Sequence, residues 1–314
     1  MKKIQNPLSK TVAKLLLFLV LLFLSCNESN KISCQSETNQ PLNKQVYNRN
    51  HFEFLSTIQL PEKLDFCGEV APLEVPEIRE RAEREFYLLL QQPGQLILYL
   101  KRSGRYFPIF EKIIKDNNMP DDIKYLAVAE SALYMSRSST NALGLWQFME
   151  ETGRKFGLII NSSIDERCHP VRSTEAAMKY LKQGKQNLGS WSLAAAGYNM
   201  GHTGVQKRLA HQDTDNYFDL FLNEETSRFV FRIMLIKEFM KNAEKYGIKL
   251  NKNQLYKPYE GNTITITTAI DDLVIWSKKN GYSYKDIRLM NPWILDPKVP
   301  APPAGKNYEM LVPK

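Results

Sequence analysis

Ala127 to Met149 reads AVAESALYMSRSSTNALGLWQFM, and the fold class follows from how this stretch is read. Just upstream, Met119-Pro120-Asp121-Asp122 marks a helix start. Proline suits the first turn, and two carboxylates suit the positive end of the helix dipole. A helix is expected from Ile123 to about Leu133, with Leu126, Ala129 and Leu133 on one face and Glu130 beside that face. A second helix is expected over Leu145–Phe156. Working outward, Val75 to Leu90 (VPEIRERAEREFYLLL) repeats apolar residues at three- to four-residue spacing behind Pro76 and Glu77. Gln95–Arg102 and Tyr106–Asn117 read as two helices separated by Ser103-Gly104. Further helix signals fall at Ser173–Leu188, Trp191–Asn199 and Glu224–Tyr246. Strand-like alternation is absent between residues 75 and 250, so this domain is expected to be mainly α.

The ends of the chain read differently. Lys2, Lys3, Lys10 and Lys14 precede an unbroken apolar run, Leu15 to Leu24, followed at once by Ser25-Cys26. Ten apolar residues make about 15 Å of helix against a bilayer core of about 30 Å, so residues 1–25 read as a secretory signal. The ending Leu-Ser-Cys resembles the lipobox of bacterial lipoproteins, which makes Cys26 the expected site of lipidation. Residues 26–74 are read as a tether and N-terminal extension, with residues 27–50 rich in Asn, Ser, Gln and Lys. The formal charge of +8 falls to +4 once four Lys and no acid leave with the signal. That weak bias gives no reason to invoke nucleic acid.

Beyond a composition shift at Asn251–Asn262, Thr263–Thr267 alternates as a strand and Ala269–Lys279 is helical. Ser283 caps a short helix through Leu289, and Tyr308–Val312 reads as a final strand. The module at 256–314 is therefore expected to run strand, helix, helix, strand. Cys34, Cys67 and Cys168 allow at most one internal disulfide, and the sequence does not choose the pair. The four His form no H-x-x-x-H pair, and neither metal nor cofactor is expected.

Glu130 is the most informative residue of the stretch Ala127–Met149. A carboxyl near the end of an apolar helix loses hydration, which disfavours its charged form and raises its pKa. Such a group stays protonated near neutral pH and can donate to a glycosidic oxygen. The plainer alternatives are a surface Glu or one paired with an Arg.

Three motifs bear on the choice: Glu130-Ser131, Gly144-Leu145-Trp146-Gln147-Phe148-Met149 and Ala196-Gly197-Tyr198-Asn199-Met200-Gly201. In this order they resemble the motifs of lytic transglycosylases with the goose-type lysozyme fold, of the membrane-bound lytic transglycosylase D type. Asp165-Glu166-Arg167, Ser173 to Leu181 and Asn223 to Arg228 resemble that type as well, so the likeness spans roughly residues 75–240. Where many relatives carry Ser-Pro-x-Gly, this chain has Ser138-Ser139-Thr140-Asn141. The resemblance implies a lysozyme-like helical catalytic domain over 75–250 acting on peptidoglycan, with Glu130 as acid and then base. It implies Ser138, Gln147, Tyr198 and Asn199 as substrate-binding residues, with structural support as the other reading of Gln147 and Asn199. Trp146, Phe148 and Trp191 are expected in the core, and Asp165 and Glu166 are expected to be structural.

The C-terminal module is similar to a degenerate LysM domain through Asn280-Gly281-Tyr282-Ser283, Leu289-Met290-Asn291-Pro292 and Leu311-Val312-Pro313. The usual Gly-Asp-Thr start is absent. That likeness implies glycan binding, and simple packing is the alternative. Taken together, these resemblances imply an outer-membrane lipoprotein of the cell envelope, facing the periplasm. Its partners would be peptidoglycan strands and, through the lipid anchor, the membrane, and a monomer is expected. The rivals are a hydrolytic muramidase on the same fold and a non-catalytic peptidoglycan-binding lipoprotein.

Overall fold

Prolines at the first helical position open α1 (Pro76–Leu90) and α2 (Pro93–Asp116), where a missing N–H costs nothing. The computed structural model describes residues 53–314. The expected signal peptide (1–25), Cys26 and the tether over 27–50 lie outside the described residues. Before α1, β1 (Asp65–Phe66) and β2 (Glu69–Val70) pair as a short antiparallel hairpin. The helices continue with α3 (Lys124–Ser131), α4 (Glu150–Lys155), α5 (Pro170–Leu188), α6 (Trp191–Met200), α7 (His202–Gln212) and α8 (Glu224–Lys241). The C-terminal module is β3 (Gly261–Ile266), α9 (Leu273–Lys279), α10 (Tyr284–Met290) and β4 (Tyr308–Pro313). Strands β3 and β4 pair antiparallel, Gly261 opposite Pro313 and Ile266 opposite Tyr308. This is the strand–helix–helix–strand order expected from the sequence, behind a mainly helical domain.

Helix α8 is the axis of the helical domain. Phe229, Val230, Phe231, Ile233, Met234, Leu235, Ile236 and Phe239 are all buried, so it is apolar around its circumference rather than along one stripe. A helix of that kind belongs inside a core. It packs against α1, α3 and α6, while α5 packs against α2 and α6. Helix α3 is buried on every side from Lys124 to Val128, and α8 holds its entry electrostatically. The ammonium of Lys237 lies 2.7 Å from both Asp65 and Asp122, and Asp122 also accepts from the Cys67 N–H at 2.9 Å.

Three readings of the sequence are adjusted. The expected break at Ser103-Gly104 does not occur, because α2 runs through it. A Cβ at Gly104 would stand 2.7 Å from the Leu255 Cβ and 2.9 Å from the Tyr256 carbonyl, so the glycine admits a crossing segment instead of ending a helix. The expected helix over Leu145–Phe156 is a tight turn followed by the short α4. The helical core also begins earlier than residue 75: Leu60, Leu64, Phe66, Ala71 and Leu73 are buried in it. Part of that extension sets the position of α6. The Glu69 carboxylate accepts from the N–H groups of Trp191 at 2.6 Å and Ser192 at 2.8 Å, satisfying donors that a helix start leaves open.

The C-terminal module is fused to the helical domain by backbone as well as side chains. Asp165 N–H donates to the Trp293 carbonyl and Leu295 N–H to the Ser163 carbonyl, each at 2.8 Å. Ile159, Ile164 and Cys168 share one buried cluster with Ile287, Trp293, Tyr308 and Met310. The His169 ring stacks on Trp293 at 5.4 Å between centroids. At the module's own centre, the Asn291 side chain bridges the end of α10 to β4, donating to Leu311 O at 2.6 Å and accepting from Leu311 N–H at 2.8 Å.

Candidate active site

Glu130 stands in the last turn of α3, half-buried, just before the helix is forced to stop. Ala132 and Leu133 both adopt left-handed backbone, with φ of 55° each, which L residues rarely do. The turn is held from outside. Arg102 donates to the Ala132 carbonyl at 3.0 Å, and the Ser131 hydroxyl donates to the Leu145 carbonyl at 2.8 Å. The second bond ties the end of α3 to the turn at Gly144–Phe148.

That turn is rigid for reasons of space. Gly144 has φ +87°, and a Cβ there would lie 1.9 Å from the Arg167 carbonyl oxygen, so no other residue fits. Gln147 is left-handed at φ 48°, and its amide nitrogen donates to Gly144 O at 2.8 Å and Ser136 O at 3.0 Å. Buried Trp146 donates its indole N–H to Thr174 Oγ1 at 2.8 Å. Arg167 and Asp165, both 3 % exposed at their side chains, form a closed ion pair, and Arg167 also donates to the carbonyls of Asn141 and Phe148. Glu166 accepts from Ile159 N–H at 2.7 Å. These two acids serve the scaffold.

Helix α6 completes the site. Tyr198 points its hydroxyl at the Trp146 carbonyl, 2.7 Å away, and the charge of Glu130 acts on its phenol. Burial and that neighbouring carboxyl push the Tyr198 pKa well up, so it remains a neutral donor. Gly197, next to it, leaves room for His202: a Cβ would meet that ring at 2.7 Å. The ring stacks on Tyr180 at 4.2 Å, and Tyr180 packs edge-on against Tyr198 at 5.2 Å. Asn199 faces α8, accepting from Thr226 Oγ1 at 2.7 Å and donating to Glu225 at 3.4 Å.

The Glu130 carboxyl is raised from 4.5 to about 8, first by loss of hydration and then by the negative charge of Glu225, with Arg232 opposing. Arg232 opposes weakly for a visible reason. Its guanidinium is engaged by Glu85, a carboxylate only 2 % exposed that also pairs with Arg228. With a pKa of about 8, the protonated form of Glu130 is favoured at pH 7.

Glu130, Tyr198, the Gln147 turn and Asn199 thus come together through α3, α6 and α8. The Ser138 side chain, like that of Gln147, bonds within its own loop: its hydroxyl pairs with Thr140 Oγ1 at 3.0 Å and accepts from Ala142 N–H at 2.9 Å. Glu225 is the site residue that sequence reasoning left without a role. It lies in the first turn of α8 behind the Asn223 cap, and only folding brings it to Glu130. Among the described residues no group of three or more His, Cys, Asp or Glu side chains is placed to hold a metal ion, and no helix is long and apolar enough to cross a membrane.

Comparison with known proteins gives two family matches and two curated relatives. Residues 107–221 match the family described as Transglycosylase SLT domain, and residues 262–314 match the Soluble lytic transglycosylase C-terminal LysM-like domain. Two curated relatives are the Membrane-bound lytic murein transglycosylase D of Escherichia coli strain K12 and that of Escherichia coli O6:H1. Each is 29 % identical over 191 residues. The matched stretch covers 59 % of this chain and 42 % of each relative, so it spans less than half the length of those proteins. The helical domain is thus similar to a transglycosylase SLT domain over residues 107–221, and the module behind it is similar to a LysM-like domain of the soluble lytic transglycosylase type.

Proposed function

We propose that the protein is a peptidoglycan lytic transglycosylase that cuts the β-1,4 bond from N-acetylmuramic acid to N-acetylglucosamine and leaves a 1,6-anhydromuramic end. The observation that carries this reading is the desolvated Glu130 carboxyl, neutral at pH 7, in a wall of fixed hydrogen bonds. Glu130 gives its proton to the leaving glycosidic oxygen as the C1–O bond breaks. The acetamido oxygen of the same sugar stabilises the electron-poor anomeric carbon. The ionised Glu130 then takes the proton of the O6 hydroxyl while O6 bonds to C1. The carboxyl ends protonated and no water is consumed. One group acts as acid and then as base, in contrast to the paired carboxylates of ordinary glycosidases.

The surroundings support each half of this cycle. Loss of hydration favours the acid before cleavage. Tyr198 and the Gln147 turn are fixed by their own hydrogen bonds, so little reorganisation accompanies the charge that forms on Glu130. Glu225 is the observation that favours the rival muramidase, since a second carboxylate near Glu130 could activate water. Its hydrogen bond from Asn199 supports a positioning role instead. The lipobox-like Leu-Ser-Cys26 supports placing the enzyme at the outer membrane as a periplasm-facing lipoprotein. The LysM-like module supports a glycan-holding role beside the catalytic domain.

Glu130→Gln tests the assignment on purified sacculi. The expected result is near-complete loss of soluble product with sacculus binding retained. Unchanged turnover would remove Glu130 from the chemistry, and no soluble product from the wild-type chain would leave a binding protein.

A further inference from the structure

A groove runs from the exit of α3 to the C-terminal module, and its chemistry is unlike that of the site just described. Near α3 it is a cavity of about 370 Å³ lined by Arg102, Arg105, Tyr134, Tyr259, Arg288 and Leu289 among others, with no acidic side chain. It continues past Arg105, Tyr259 and Leu289 into a mostly apolar cavity of about 520 Å³ that reaches Trp293. Of the two acids of this second part, Glu175 pairs with Arg172 at 3.4 Å, and Glu309 accepts from the Thr265 hydroxyl at 3.3 Å and keeps its charge.

The three arginines are held but not neutralised. Arg102 donates to the Ala132 carbonyl, Arg105 to the Lys257 carbonyl and Arg288 to the Tyr284 hydroxyl and Leu295 carbonyl. Arg102 lies over the Tyr134 ring at 5.0 Å and Arg105 over Tyr259 at 4.4 Å. Among the described residues none of the three has an ion-pair partner. Half-buried cations without a counter-charge are costly, and a guanidinium fork fits a carboxylate better than any other common side-chain partner. Exposed Tyr134 and Leu289 add apolar surface between the charges.

We propose that this groove binds the acidic stem peptide carried by the muramic acid of a strand seated at Glu130. The inference rests on the proposed function for its substrate, and chain connectivity limits how far the groove can start from Glu130. The Ala132 carbonyl held by Arg102 is two residues beyond Glu130, and Tyr134 is four beyond. Four residues reach at most about 14 Å, which an extended tetrapeptide also covers. The groove therefore starts within one stem peptide of the reacting sugar. Arg105 and Arg288, from the helical domain and the module, would hold the peptide carboxylates between them, which gives the fused module a part in choosing substrate.

Calorimetric titration of the full chain with a synthetic stem tetrapeptide tests this without requiring turnover, so it fails or succeeds independently of the lyase reading. The free-carboxylate peptide should bind, and its counterpart with every carboxylate converted to amide should bind about tenfold more weakly or not at all, the scale of losing a charge-assisted hydrogen-bond pair. The double variant Arg105→Gln/Arg288→Gln should lose the same factor while Arg208→Gln, on α7 outside the groove, keeps wild-type binding. Equal binding of acid and amide peptides by the wild-type chain overturns the proposal, whether or not the double variant folds. So does retention on anionic phospholipid vesicles with no peptide binding, which would assign the groove to a membrane surface.

Discussion

Replacing Glu130 with Gln preserves the size of the side chain and removes its titration, which makes folding stability a readout of the site. In the folded protein the carboxyl titrates at about 8, against 4.5 in the unfolded chain. Between those two values the folded state holds a proton that the unfolded state has lost. Stability must then fall as pH rises, because the unfolded state binds fewer protons. The contribution is fully favourable below about 4.5 and lost by about 8. At about 1.4 kcal/mol per tenfold the whole window is worth about 5 kcal/mol, and solvent reaching the half-buried side chain reduces this to about 2–4 kcal/mol. Urea unfolding of wild type and Glu130→Gln at closely spaced pH values measures it, since all other titrations cancel in the difference. The variant should gain about 2–4 kcal/mol on wild type between pH 5 and pH 9. Parallel stability curves would show that Glu130 is solvated and ionised like an ordinary surface carboxylate, and the mechanism would lose its acid.

Glu225→Gln removes the like charge beside Glu130, so the Glu130 pKa should fall and the alkaline limb of the pH–turnover profile should move to lower pH; an unmoved limb would show that Glu225 does not act on Glu130. Arg167→Ala leaves Asp165 buried and unpaired and strips donors from the Asn141 and Phe148 carbonyls, so thermal and urea unfolding should show a loss of about 3–5 kcal/mol. Gly144→Ala drives a methyl into the Arg167 carbonyl at left-handed φ and should cost about 2–4 kcal/mol, with turnover falling as the Gln147 turn shifts; wild-type stability would refute the packing described for it.

The helices were legible where local chemistry dictates them. Pro76 and Pro120-Asp121-Asp122 mark starts, and apolar spacing marks the buried face of α1. The misreadings have tertiary causes. Gly104 looks like a break in one dimension, yet it is the gap through which Leu255 and Tyr256 cross α2. Leu145 to Met149 has the composition of a helix, but Gly144 and Gln147 take left-handed backbone, and the Arg167 carbonyl leaves no room for a Cβ at Gly144. The hold that Glu69 has on α6 spans 122 residues, a relation no local pattern encodes. At the site, Glu130 and Tyr198 could be read from motif and burial together. Glu225 could not, because an acid in a first helical turn is ordinary until the fold places it beside another carboxyl.

Mass spectrometry of the muropeptides released from purified sacculi by the full chain tests the lyase assignment most directly. Muramic ends should be 1,6-anhydro species, lighter by one water than hydrolytic products, and should lack a reducing terminus. Reducing muramic ends in their place, carrying solvent oxygen when the digest is run in heavy-oxygen water, would show hydrolysis and contradict the single-carboxyl cycle.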